Sequence, residues 1–102
     1  MAKNNFSPIP NSLVTHAVTD SATSLTVPDQ ANYGEGYVRT NSVTETRDGT
    51  APTNTKGRTW AAGDIIVLRS RDELTGFQVI RQNDSNAATL DVEFWNKVPG
   101  MN

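Results

Sequence analysis

The clearest periodic signal lies near the C-terminus, where Ala88, Leu90, Val92 and Phe94 alternate with Thr89, Asp91, Glu93 and Trp95. Apolar residues at every second position turn one face of an extended chain to a core and the other to water, so this segment reads as a half-buried strand. Ile65-Ile66-Val67-Leu68 is a run of four consecutive aliphatic residues, and it reads as the central strand, buried on both faces. Phe77 to Arg81 forms a further strand, entered by a turn over Ser70 to Gly76 and left by Asn83-Asp84-Ser85-Asn86. These three strands are expected to form an antiparallel meander.

The N-terminal half is less regular. Leu13 to Val18 and Ser24 to Val27 are short β-branched and apolar runs divided by Asp20-Ser21, a pattern that suits a hairpin. The stretch Asn32-Tyr33-Gly34-Glu35-Gly36 supplies glycines for a tight return, after which a strand starts at about Tyr37. Thr40 to Thr46 is nearly all polar and reads as a solvated edge or the root of a loop. Arg47 to Arg58, with Asp48-Gly49, Ala51-Pro52 and Lys56-Gly57, is the most loop-like segment of the chain. Ahead of all this, Pro8 and Pro10 remove backbone donors, so the segment around Phe6 and Ile9 is an extended arm rather than a central strand. Such an arm either folds back on its own domain or lies on a neighbour. The resulting organisation is an arm over residues 1–12, a single β domain over 13–96 and a tail over 97–102.

Composition sharpens the all-β assignment. Thr, Asn, Val and Ser are plentiful, and the strong helix formers never cluster at helical spacing. Val, Ile, Leu and Phe number about 21 in 102 residues, only just above the level at which chains tend to stay disordered. The core is therefore thin, and domains this short often recruit partner subunits. There is no cysteine, which removes disulfides, thiol nucleophiles and thiolate metal sites together. A net charge of −2 without a long basic run offers no footprint for nucleic acid, and no apolar stretch is long enough to span a bilayer or serve as a secretory signal.

Candidate chemistry is sparse. His16 stands alone in a strand-like run and reads as a surface or packing histidine. The Asn83–Asn86 segment has oxygen ligands but lacks the spacing, central glycine and terminal glutamate of a calcium loop. Asp72 and Glu73 are adjacent and suit a soluble turn, and Gly34-Glu35-Gly36 lacks the lysine and helix of a phosphate loop. An enzyme reading finds no foothold, and no cofactor or metal is expected. Trp60, Trp95, Tyr33 and Tyr37 are candidates for a sugar-stacking platform or, with more weight, for core and interface packing.

Three pieces taken together do form a pattern: Ser21 to Asp29 (SATSLTVPD), then Ala62-Gly63-Asp64-Ile65-Ile66-Val67-Leu68, then Phe77 to Gln82 ahead of Ala87-Ala88-Thr89-Leu90. This resembles the small β-modules of bacteriophage virion proteins, over roughly residues 21 to 90, with Gln82 where glycine is frequent and an insertion from about Val43 to Trp60. The resemblance implies a small antiparallel β-barrel or β-tulip-like domain with an extended N-terminal arm. It implies a capsid decoration, or cement, protein on the capsid exterior, bound to the major capsid protein as a homotrimer. A tail or head-completion subunit is the nearest alternative, and a carbohydrate-binding module the more distant one. Phe6, Ile9, Trp60 and Trp95 are the residues expected to carry capsid or intersubunit contact.

Overall fold

The computed structural model describes residues 4–53, 55–82 and 87–99. The described chain is all-β apart from one short helix. In order it contains β1 (Asn4–Pro8), β2 (Val14–Val18), β3 (Thr23–Ser24), β4 (Tyr33–Thr40), β5 (Val43–Thr46), β6 (Arg58–Trp60), β7 (Ile65–Leu68), α1 (Arg71–Gly76), β8 (Gln78–Arg81) and β9 (Ala88–Pro99). All strand pairings are antiparallel, and they make two sheets rather than a closed barrel. The larger runs β1-β9-β4-β7 with β2 also on β9; the smaller runs β3-β8-β5-β6.

The alternation from Ala88 to Trp95 forms the half-buried strand that the sequence predicts, and it is this strand, not Ile65–Leu68, that lies inside the larger sheet. Leu90, Val92 and Phe94 are buried, and Asp91, Glu93 and Trp95 occupy the opposite face. β9 runs on to Pro99 because β1 pairs with its second half, Phe6 opposite Lys97 and Pro8 opposite Trp95. β2 pairs with its first half, Thr15 opposite Asp91. The arm thus folds back on its own domain, and the backbone of the expected tail is held in a sheet as far as Pro99.

Ile65–Leu68 is not the central strand. β7 is an edge strand whose burial alternates, with Ile65 half exposed and Ile66 and Leu68 buried. Four aliphatic residues in a row report hydrophobicity, but two-sided burial needs neighbours on both edges and both faces. The hairpin over residues 13–27 does not form either, since β2 joins the larger sheet and β3 the smaller one. The meander fails for the same reason: β7 and β9 belong to one sheet and β8 to the other. The chain crosses between the sheets from β2 to β3, from β7 to β8 and from β8 to β9, a property of topology that local turn signals do not carry.

The polar stretch ending at Thr46 is also corrected. β5 lies between β8 and β6, with Val43, Thr44 and Glu45 all buried. The supposed glycine return is the body of β4. Gly34 and Gly36 face the core, where a Cβ on Gly34 would lie 2.8 Å from Leu74 Cδ2. These glycines let the layer beneath approach closely. The turn after Leu68 is a helical turn: Ser70 caps α1 by accepting from Glu73 N, which seats Leu74 in the core. Between the layers lie Val18, Val38, Val43, Ile66, Leu68, Leu74, Phe77, Val79, Leu90, Val92 and Phe94.

Candidate functional site

Two of the four expected contact residues come together. Phe6 and Trp95 share the outer face of the larger sheet, and Tyr33 bridges them. Its ring centroid is 4.7 Å from Phe6 and 5.8 Å from Trp95, with edge-on geometry in both pairs. Phe6 is 47% exposed. Ile9 and Trp60 lie elsewhere. Ile9 donates its backbone N–H to Phe94 O and its side chain packs on the core. Trp60 also packs on the core, and its indole donates to Glu45 Oε1 at 3.2 Å.

The outer face continues from this cluster. Cross-strand partners share a face, so the register sets Trp95 beside Tyr33, Glu93 beside Glu35 and Val67, and Asp91 beside Tyr37 and Ile65. Tyr33 donates to Glu35 Oε2 at 2.9 Å and Tyr37 donates to Glu35 Oε1 at 2.7 Å, so two phenols hold one carboxylate from both sides. The Tyr37 phenol is pushed up to about 12, chiefly by its bond to Glu35, then by burial and the charges of Glu35 and Glu93. Burial, followed by Glu35, raises the Tyr33 phenol. Asp91 accepts from Thr15 at 2.6 Å and from Arg39 at 2.9 Å. Those bonds, Thr15 first, hold its carboxyl below the usual carboxylate range against the opposing pull of burial.

The sequence showed each member of this face but not the face itself. Tyr33, Glu35 and Tyr37 recur at every second position around Gly34 and Gly36, which is the strand signal that two glycines disguised as a turn.

A second polar site lies at one end of the smaller sheet. A cavity of about 510 Å³ is lined by residues including Glu45, Arg47, Asp48, Lys56, Arg58 and Glu73. Glu45 is fully buried and paired with Arg47, whose Nε lies 3.1 and 3.3 Å from its two oxygens. The same guanidinium donates to Val67 O and to Glu73 Oε1. Arg47 therefore ties β5, β7 and α1 together, a buried ion pair with its hydrogen bonds satisfied. Asp48 accepts from the Thr50 hydroxyl and N–H, which lower its carboxyl.

His16 is half-buried, and desolvation lowers its imidazole despite the nearby charge of Asp91. Among the described residues no group of three or more His, Asp or Glu is placed to hold a metal ion. No helix among them is long and apolar enough to cross a membrane. The oxygen-rich segment Asn83–Asn86 lies outside the described residues.

Fold and site together define an all-β protein of two antiparallel sheets that presents an aromatic and acidic sheet face. No family model, no curated protein and no solved structure matches the chain.

Proposed function

We propose that this chain is a structural virion protein of the decoration type, which binds the exterior of a phage capsid through the major capsid protein and secures neighbouring subunits. The observation that carries the docking part of this reading is the ribbon formed by β1 and the second half of β9. Its Phe6 and Trp95 cluster with Tyr33 of β4 on one face, and Phe6 is 47% exposed. A two-stranded ribbon is marginal by itself, and a half-exposed aromatic ring on such an element suits a partner surface. The capsid part rests on the sequence resemblance, with the small barrel or tulip-like module it implies built here as two unclosed sheets.

A homotrimer belongs to the same proposal. Repeated sites on a shell let a small oligomer bind tightly through several modest contacts. The edge-on aromatic rings, and a Trp60 that packs on the core, suit protein contact better than a flat platform for sugar rings. The test is light scattering on the purified chain, then co-sedimentation with undecorated phage heads. A trimer pelleting at a fixed ratio to the major capsid protein is expected. A chain that leaves every head preparation unbound overturns the reading. Phe6→Ser, at an exposed position, is expected to lose head binding while the circular dichroism spectrum stays unchanged.

A further inference from the structure

The outer face of the larger sheet holds a feature that the fold itself does not need. Glu35 and Glu93 stand directly opposite each other on β4 and β9. Like charges in that position destabilise a sheet. Tyr33 and Tyr37 satisfy the oxygens of Glu35, but Glu93 has no hydrogen-bond or ion-pair partner among the described residues. Of the neighbouring cations, Arg39 is on Asp91, Lys97 donates to Arg69 O at 2.9 Å, and the exposed Arg69 lies at the Tyr33 end, where its charge acts on the Tyr33 phenol. The acid pair is left at the centre, framed by Trp95 and Tyr33 on one side, Tyr37 on the other, and Val67 and the half-exposed Ile65 along the edge.

We infer that this face is a docking surface for a protein partner, and that it receives an arginine side chain of that partner over Glu93 and Glu35. Charge complementarity selects a cation, and the aromatic frame selects a planar one. A guanidinium can lie against an indole or phenol ring while its N–H groups meet a carboxylate, whereas an ammonium is a compact, strongly hydrated point charge. The apolar rim then buries against the partner's flanking residues and shields the pair from water. A carboxylate kept at some cost to the free fold is what a site completed by its partner requires. This inference deepens the docking reading by naming the chemistry of the partner surface, and the two fail separately. Heads that bind while the arginine probe does not leave the reading standing without this surface, and the converse leaves the surface without the heads.

The experiment is a titration of the full chain with acetyl-arginine methylamide at low ionic strength, followed by amide and indole NMR signals. Saturating shifts are expected within Tyr33–Tyr37, Asp91–Trp95 and the Trp95 indole. The citrulline analogue and the Glu93→Gln variant are each expected to bind roughly tenfold more weakly. A lysine analogue that binds as well as arginine overturns the guanidinium assignment. Absent shifts, or equal shifts at exposed acids such as Asp29 and Asp72, overturn the site. Thermal melting gives a second readout: Glu93→Gln is expected to melt higher than the parent because it removes the repulsion. A lower melting temperature would make Glu93 a structural residue and overturn the proposal.

Discussion

Arg47 is the side chain on which the buried polar arrangement depends, because Glu45 is fully buried and Arg47 supplies its charge partner. Arg47→Met leaves Glu45 with the Trp60 indole alone. An uncompensated buried charge costs about 3–5 kcal/mol, so a large fall in the urea midpoint is expected. Adding Glu45→Gln to that variant is expected to recover part of the loss, since the stranded charge is gone. The tyrosines on the other face give a pH prediction. A phenol whose folded pKa lies above 10 contributes stability that is complete below pH 10 and is lost as pH rises toward the folded value. Ultraviolet titration is expected to show Tyr37 ionising near 12, and Glu35→Gln is expected to bring it down. His16 acts in the opposite sense. Its folded pKa is lowered, so its contribution is present above pH 6.5 and is lost on acidification, and His16→Gln should flatten that part of a melting profile.

At the scale of elements, β9 organises the larger sheet, pairing with β1, β2 and β4. Its strand character was legible because alternation is a local signal, and Gly63-Asp64 ahead of β7 is a local signal of the same kind, a turn in which Gly63 takes φ +96°. Helix α1 was legible in principle. Ser70-Arg71-Asp72-Glu73 has the spacing of a capping box, but six residues are too few for helical periodicity to show. Ser70→Ala is expected to cost about 1 kcal/mol in chemical denaturation through loss of the cap. β5 could not be read from its polar composition, since its burial comes from β8 and β6 on its two edges. Gly57 belongs to the same neighbourhood. It takes φ +132°, and a Cβ there would meet Glu45 O at 2.8 Å, so Gly57→Ala is expected to lower the melting temperature markedly.

At the scale of the whole molecule, the chain is longer than a compact domain. Its principal extents are 51 × 23 × 23 Å and its radius of gyration is 14.0 Å, against about 13 Å for a compact chain of this length. The β1–β9 ribbon belongs to this elongation. N-terminal and C-terminal segments pair along it, so the larger sheet is complete only when β1, β2 and β9 are all in place. Removing residues 88–102 is expected to abolish cooperative unfolding altogether, as judged by a lost melting transition. Folding of the intact chain should fall in the slow range of β-rich domains, milliseconds to seconds by stopped-flow fluorescence of the two tryptophans.

The sequence by itself determined the β class, the half-buried strand from Ala88 to Trp95, the extended character of the arm and the start of a loop at Arg47, though Arg58, read as its last residue, is the first of β6. Each of these follows from neighbours a few residues apart, through alternation, proline geometry or turn chemistry. Tertiary structure alone decided that Ile65–Leu68 lies at an edge, that β5 is buried, that the arm returns to its own sheet, and that Tyr33, Glu35, Glu93 and Trp95 share one face. Those are matters of which strands become neighbours. Strand pairing joins residues far apart in sequence, and the hydrophobic pattern of one strand gives its faces without naming its partner.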